Sequence, residues 1–491
     1  MGGQSNSSSG RRVSTQLVST NARAAKYCTG ETFQPKKKEA MIVPDPALGR
    51  KIGRGPRLIF RNFMRGCWNP EDSVAIREHK VVKKQARNVD DGSNECLLNS
   101  LPEDVWLECL ARVPRSSLHM SMMVCQKWRH TLKSSEFYEV RRNNCKVENL
   151  LFVFGGAGTG LASAVYSKSS GTWKAGLLCT VRALEKNDWL LDYYNADHCL
   201  LHAQPAVVKH RIYILGAVPS YSGGVGGAAA AGGRDCTIVY DTWTKTLTKG
   251  SPMTHPRKKF ATCVIADRIY VAGGSSKADF SREAITGAEV YIPELDLWRP
   301  LPNMPRRRYA CLGAAVNGIF YVIGGLKFSS LLGLCVQPYP YDGSMDSFNT
   351  RTNSWQRTMK LPMRGCVIAS TVVGSSIYML CSLALELSFW KYETGHDGGA
   401  EGFYEIKPPP PILSPLRIDN YLKFSCVTMG TCVYIIQVGG SIDDLLRRSG
   451  RHGRGLKEGL VLIYDTITGE WSRGPDLPYV KNGATCAVVL C

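Results

Sequence analysis

RIYVAGG at residues 268–274 and FYVIGG at 320–325 decide the fold, because the same signature, an apolar run closed by glycine, returns through the second part of the chain. LFVFGG (151–156), RIYILGA (211–217) and VYIIQVGG (433–440) continue the series at intervals of about 50 to 60 residues, and IYMLCS (377–382) takes the fifth place without the glycine. A short continuous apolar run bounded by glycine reads as a strand buried on both faces. In each unit an apolar strand precedes the run, an alternating strand ending near a Tyr follows it, and a Trp marks a short last strand. Trp173, Trp243, Trp298, Trp355 and Trp471 are these markers, and Phe403 with Tyr404 stands in for one in the fifth unit. Repetition at this period predicts a mainly β chain built as a six-bladed β-propeller of four-stranded blades. The paired glycines suit positions where neighbouring blades approach too closely for a Cβ.

How the ring closes is legible at the two ends of the repeat region. The chain enters at a second strand, LFVFGG, and finishes after a first strand, Gly483 to Leu490. Pairing Ala484 to Leu490 beside Leu151 to Phe154 would complete the first blade and leave no sheet edge open. Three insertions interrupt the units: residues 174–203, the Gly/Ala tract Tyr221 to Gly233, and the basic stretch Ser441 to Gly459. The units resemble the kelch repeat, best in Phe260 to Trp298, Tyr309 to Trp355 and Val461 to Trp471, so residues 151–491 are expected to form a kelch propeller.

LPEDVWLECLARVPRSSLHMSMMVCQKWRHTLKSSEFY, residues 101–138, has a different period. Ser100 to Glu103 fits the S-x-x-E capping box, and Pro102, Glu103 and Asp104 suit the start of a helix. Leu101, Val105, Cys109 and Val113 recur at four-residue spacing with Trp106 and Leu110 beside them, until Pro114 ends the run. Leu118, Met122, Cys125 and Leu132, flanked by Trp128, form a second stripe. Helices this short bury too little to stand alone and need a partner or an adjoining domain to cover them. At Leu101-Pro102, Leu110-Ala111-Arg112-Val113-Pro114, Val124-Cys125-Gln126-Lys127-Trp128-Arg129 and Phe137 the stretch resembles the F-box, departing from the usual basic residue at Gln126. The small α-helical F-box is expected over residues 94–142.

Charge separates these parts. The 491 residues carry a formal net charge of +20. Residues 1–93 hold 18 Lys/Arg against 8 Asp/Glu, a surplus of +10; residues 94–148 are nearly neutral, and the propeller region carries the remainder. A tail so rich in Ser, Gly, Lys and Arg cannot bury a core, and is read as a disordered basic tail. Its Lys36 to Lys38 run fits a nuclear import signal, an anionic-surface anchor or a solvated charge run alike. The longest apolar stretch, Ile377 to Trp390, is broken by Glu386, so no membrane span is expected. The 18 cysteines include no C-x-x-C pair and follow no secretory leader, and reduced thiols are expected.

Candidate catalytic and metal chemistry is sparse. Gly155 to Ser163 lacks the third glycine and the Lys-Ser/Thr of a phosphate loop, and a strand follows it instead of a helix. His198 and His202 have helical spacing but no third ligand, so no metal is expected. Cys263, Cys311, Cys366, Cys426 and Cys486 fall in five first strands, yet strand parity turns at least one of them the other way, and small buried side chains explain them better than a thiol ring. Neither the E-x-x-x-D-x-x-x-H iron pattern of plant specifier proteins nor the Tyr/His set of kelch copper oxidases is found. The chain is therefore expected to be non-catalytic, with no cofactor.

One constellation points to binding. Loops joining second to third strands, and those joining blade to blade, emerge on one face. They hold Arg257, Lys258, Lys259, Arg306, Arg307, Arg308, Arg364, Arg417, Arg447, Arg448, Arg451 and Arg454. Such a rim would complement an acidic or phosphorylated segment, which Arg holds in a bidentate way. Without aromatic residues between the arginines, nucleic acid is not expected. An F-box ahead of kelch repeats resembles the plant-type substrate receptor of an SCF ubiquitin ligase. The resemblance implies docking on a Skp-type adaptor and through it on a cullin, regulation with the cullin by the signalosome, capture of a target protein for ubiquitination, and residence in nucleus and cytoplasm. A scaffold or small-molecule sensor outside ubiquitination is the alternative. Docking is assigned to Leu101, Pro102, Val105, Leu110, Val113, Pro114, Val124, Cys125, Trp128 and Leu132, and target contact to Arg257, Arg306, Arg308, Arg364, Arg417, Arg447 and Arg451.

Overall fold

The computed structural model describes residues 102–157, 160–177, 203–217, 236–276, 284–326, 341–383, 386–395, 400–409, 423–439, 459–478 and 484–491. The basic tail of residues 1–93, His198 and His202 lie outside them. Among the described residues, six four-stranded antiparallel sheets account for nearly all the strands. Each runs in chain order from an inner to an outer strand, as in Leu312–Val316, Ile319–Ile323, Ser344–Asn349 and Ser354–Lys360 of the fourth. The first differs: its inner strand is Thr485–Leu490, paired antiparallel with Asn149–Ala157 from Asn149↔Leu490 to Phe154↔Thr485. The two chain segments thus share one blade, and no inner edge is left unpaired.

The second strands explain why their sequences are apolar throughout. Phe320 and Val322 pack with Tyr270 and Val290 of the third blade, whereas Tyr321 and Ile323 pack with Ile377 and Met379 of the fifth. Alternate side chains point to opposite faces of a strand, and here both faces meet a neighbouring blade. Four further cores of this kind join blades one to two, two to three, five to six, and six back to one. The last unites Tyr434 and Ile436 with Leu151 and Val153 and closes the ring.

The glycine doublet of the third blade shows its physical reason. Gly273 and Gly274 have φ of +70° and +92°, and a Cβ on them would come 2.8 Å from the Arg308 carbonyl oxygen and 2.7 Å from that of Lys258. Gly274 N–H donates to that Arg308 carbonyl at 2.8 Å, so the doublet is where the approach to the fourth blade crosses the third. The outer-strand tryptophans link blades in a second way. Trp173, Trp298, Trp355 and Trp471 donate their indole N–H to the backbone carbonyls of Pro475, Ser251, Pro302 and Lys407, each on the preceding blade's exit.

Trp243 does not belong to this set, which corrects its reading as the marker of the second unit. Opposite the blade tyrosines stand Trp173, Trp298, Phe403 and Trp471, and in the second blade Tyr240 faces Leu247. Trp243 lies four residues earlier, in the turn between Cys236–Asp241 and Thr246–Gly250. It is buried among residues of the helical region instead.

Four short helices form that region: α1 (Glu103–Ala111), α2 (Arg115–Ser121), α3 (Gln126–Leu132) and α4 (Ser135–Asn143). The expected capping box is not used. Pro102 occupies the N-cap of α1 with no side-chain cap, because the helix begins at Glu103 and not two residues earlier. Cys125 Sγ caps α3 by accepting from Trp128 N–H, and Ser134 Oγ caps α4 by accepting from Phe137 N–H at 3.1 Å. Trp106, Leu110, Ala111, Leu118, Leu132, Phe137 and Tyr138 form the core, with Trp243 as its eighth member. Buried Arg141 closes it from within. Its guanidinium donates to the carbonyls of Ala111 (2.9 Å), Val113 (2.6 Å) and Lys146 (2.7 Å), so acceptors left over at the end of α1 are satisfied.

Candidate docking surfaces

Strand order divides the ring into two faces. Inner strands begin, second strands end and blades exchange on one, the entry face; the turns between inner and second strands, and between third and outer strands, lie on the other, the turn face. The helical region sits on the turn face. Tyr138 packs its ring 4.5 Å from His210 in a turn of the second blade, and its hydroxyl donates to the Leu490 carbonyl at 2.9 Å. Arg115 lies 5.4 Å over the Trp243 ring, and Glu148 and Cys491 exchange backbone hydrogen bonds at the end of the first blade's inner strand. The adjoining cover that these short helices require is thus the turn face itself.

This packing sorts the ten residues assigned to docking. Leu110 and Leu132 are buried in the module's own core and face no outside partner, so they are withdrawn as contacts. Val113 and Trp128 are half-buried against the same core. Pro102, Pro114 and Cys125 are exposed, as are Val105 at 42% and Val124 at 63%, and Leu101 lies outside the described residues. Met120 and Met123, each 59% exposed, were missed. Their signal was position: both fall between stripe residues Leu118 and Met122 or just beyond, on the side turned from the core. Among the described residues, four of the ten exposed large apolar ones thus lie between positions 105 and 124. A local excess of that kind marks a surface that another molecule covers.

On the entry face the structure corrects the basic rim. Arg257 and Arg308 are fully buried. Arg257 pairs with Glu289 and donates to the carbonyls of Gly273 and Gly287 at 3.2 and 2.7 Å. Arg308 binds Asp346 through Nε at 2.8 Å and the Gly324 and Ser344 carbonyls at 2.9 and 3.0 Å. Each fastens the glycine end of its own blade's second strand to an acid on the third, so neither is available to a target. Arg306 and Arg364 are exposed, and Arg306 reaches the Ser344 hydroxyl at 3.3 Å. Arg417, Arg447 and Arg451 lie outside the described residues.

The inner strands enclose a central cavity of about 480 Å³ that opens at the entry face. Cys311, Cys366, Cys426 and Cys486 line it, whereas Cys263 does not. Parity turns Cys263 aside as expected, but the other four stand on one wall system after all. Burial pushes the thiols of Cys311 and Cys366 up to about 11 and that of Cys486 to about 12, which leaves them neutral and weakly nucleophilic at physiological pH. No group of three or more His, Cys, Asp or Glu among the described residues is arranged to hold a metal ion.

Comparison with known proteins matches both the helical region and the repeats. Residues 98–140 match the F-box domain and residues 256–305 match the kelch motif. An F-box/kelch-repeat protein of Arabidopsis thaliana is 36% identical over 435 residues, spanning 88% of this chain and 97% of its own length. The Arabidopsis F-box/kelch-repeat protein SKIP30 is 31% identical over 233 residues, 46% of this chain and 60% of that one.

Proposed function

Because the chain belongs to the F-box/kelch-repeat family, we propose that it is the non-catalytic target-recognition subunit of an SCF-type ubiquitin ligase. In this reading Val105, Met120, Met123 and Val124, with Pro102 and Cys125 beside them, dock a Skp-type adaptor and through it a cullin. The entry face of the propeller holds the target. One observation carries the reading: the exposed apolar cluster belongs to helices fastened to the turn face, while the exposed Arg306 and Arg364 belong to the opposite face. A receptor built this way keeps its two partners apart and raises the local concentration of target near the ubiquitin-charged enzyme, with no covalent step of its own.

Reconstitution tests it. Purified chain, adaptor, cullin and ubiquitin-charging enzymes should ubiquitinate proteins captured by the propeller. Substitution of Val105 and Val124 by Asp should abolish transfer while capture persists. Transfer that is indifferent to those substitutions would overturn the proposal, and adaptor binding without cullin recruitment would favour the scaffold reading instead.

A further inference from the structure

A pocket of about 440 Å³ opens where the helical region meets the propeller. Arg115 and Leu118 line it from α2, Arg129 from α3, Lys133 from the C-cap of that helix, and Trp243 and Lys245 from the turn that follows Cys236–Asp241. A volume of this size encloses a small ligand. Leu118 and Trp243 are buried and give the pocket an apolar floor, while Arg129, Lys133 and Lys245 are exposed and stand at its rim. Neither part of the chain forms this site alone.

Both guanidinium groups are held in place. Arg115 Nη2 donates to the Thr242 carbonyl at 3.4 Å while its Cζ lies over the Trp243 ring, and Arg129 Nε donates to the Met122 carbonyl at 3.1 Å. Lys245 carries a second signal, in its backbone. The corresponding place in the turns of blades one, three, four and six belongs to Gly171, Asp296, Asn353 and Gly469, with φ of +65°, +48°, +53° and +72°. Lys245 has a φ of +58° at that place. Glycine, asparagine and aspartate enter the left-handed region readily, and lysine is not among them. A lysine kept where asparagine would sit with less strain points to a use for its ammonium group.

We propose that this pocket binds a small molecule carrying two or more phosphate groups, held by Arg115, Arg129, Lys133 and Lys245 above the floor of Leu118 and Trp243. Arginine offers phosphate a planar fork and lysine a point charge, and several of them around one opening concentrate the field there. A ligand with spaced phosphates can meet α2, α3 and the propeller turn together, which makes it a further fastening between the F-box and the second blade. Met123 lines the pocket as well as belonging to the exposed apolar cluster, so occupancy would be felt at the adaptor surface. Binding itself does not rest on the adaptor reading, and either can fail without the other.

The probe is inorganic tripolyphosphate, titrated calorimetrically into the full-length chain at physiological ionic strength, with hydrogen exchange to locate it. Wild type should take it up at one saturable site, and protection should rise across residues 115–133 and 242–245. The K133Q/K245N double variant removes two exposed charges and gives the turn the asparagine that the fourth blade carries. It should lose at least tenfold in affinity while melting at or above the wild-type temperature. K174Q/K360Q removes as much charge from exposed lysines elsewhere on the propeller and should lose less than twofold. No saturable site in wild type, protection confined to other segments, or equal losses in the two double variants would overturn the proposal. If K133Q/K245N melts below wild type, Arg129→Gln decides alone: a threefold or greater loss of affinity sustains the proposal and a smaller one overturns it.

Discussion

Trp243 Nε1 donates to the Leu132 carbonyl at 2.7 Å, and this bond joins a propeller turn to the end of α3. The indole also lies 6.0 Å from the Phe137 ring and 5.9 Å from that of Tyr138, so one side chain of the second blade completes the F-box core. Leu247 fills the blade position that a tryptophan takes elsewhere, which freed this one for docking.

Trp243→Ala should therefore loosen the F-box and spare the propeller. Removing a buried aromatic typically costs about 3–5 kcal/mol. Hydrogen exchange is expected to lose protection across residues 103–143 while Phe320–Ile323 and Val433–Ile436 stay protected. Trp243→Phe keeps the ring burial and loses one hydrogen bond, at a cost of about 1 kcal/mol. Uniform loss of protection in both parts would show that the two fold as one unit.

Arg141 is the second fastening, and its three carbonyl partners accept from an ion. Arg141→Met leaves those acceptors buried without donors, at about 1–3 kcal/mol for each one that water cannot reach. The F-box should become sensitive to protease between Ala111 and Arg115, and adaptor capture should fall in proportion. Arg141→Lys, a single point donor, should rescue only part of the loss.

What the sequence revealed and concealed follows from burial. Runs such as FYVIGG were legible because a strand covered on both faces needs apolar residues at every position, and covered strands of that kind leave few alternatives. Arg257 and Arg308 were misplaced because charge alone does not say which way a side chain points. A signal was present, however: each lies 16 residues before the first glycine of its blade's doublet, the carbonyl it binds. Leu110 and Leu132 were mistaken for contacts because an apolar helical stripe serves an internal core and a partner equally well. Trp243 escaped because its distance from the blade tyrosine, not its identity, gives it away.

The internal role of these arginines has a pH consequence. Burial works to raise the Glu289 pKa, but the Arg257 charge and the Thr254 N–H outweigh it and hold the carboxyl below its ordinary 4.5. A carboxyl depressed in the folded state stabilises fully above its unfolded value and loses that contribution as pH falls through the folded one. Melting temperature should thus be level from neutral pH to about pH 5 and fall below about 4.5, with Glu289→Gln showing a shallower acid limb. At neutral pH, Arg308→Met should cost about 3–5 kcal/mol by stranding Asp346, whereas exposed Arg306→Met should stay within about 0.5 kcal/mol.

Ring closure rests on Thr485–Leu490, and truncation before Thr485 should remove both the inner strand of the first blade and its share of two inter-blade cores, through Ala487, Val489 and Cys486. Asn149–Ala157 would then present an open apolar edge. The truncated protein is expected to melt without cooperativity and to associate, by scattering and by sedimentation. A sharp unimolecular melt would show that five complete blades and a partial one hold the ring unaided.

Adaptor docking is best tested by separating surface from core. Val124→Asp and Met123→Asp alter side chains that are 63% and 59% exposed, so melting should hardly change while adaptor affinity falls at least tenfold. Leu132→Ala, at a residue with 0% exposure, should lower stability by about 2–5 kcal/mol and reduce adaptor capture only as far as the F-box unfolds. Isothermal titration with purified adaptor, alongside a melt of each variant, tells the two apart. Affinity that tracks melting temperature across all three variants would mean that the exposed cluster is not the docking surface.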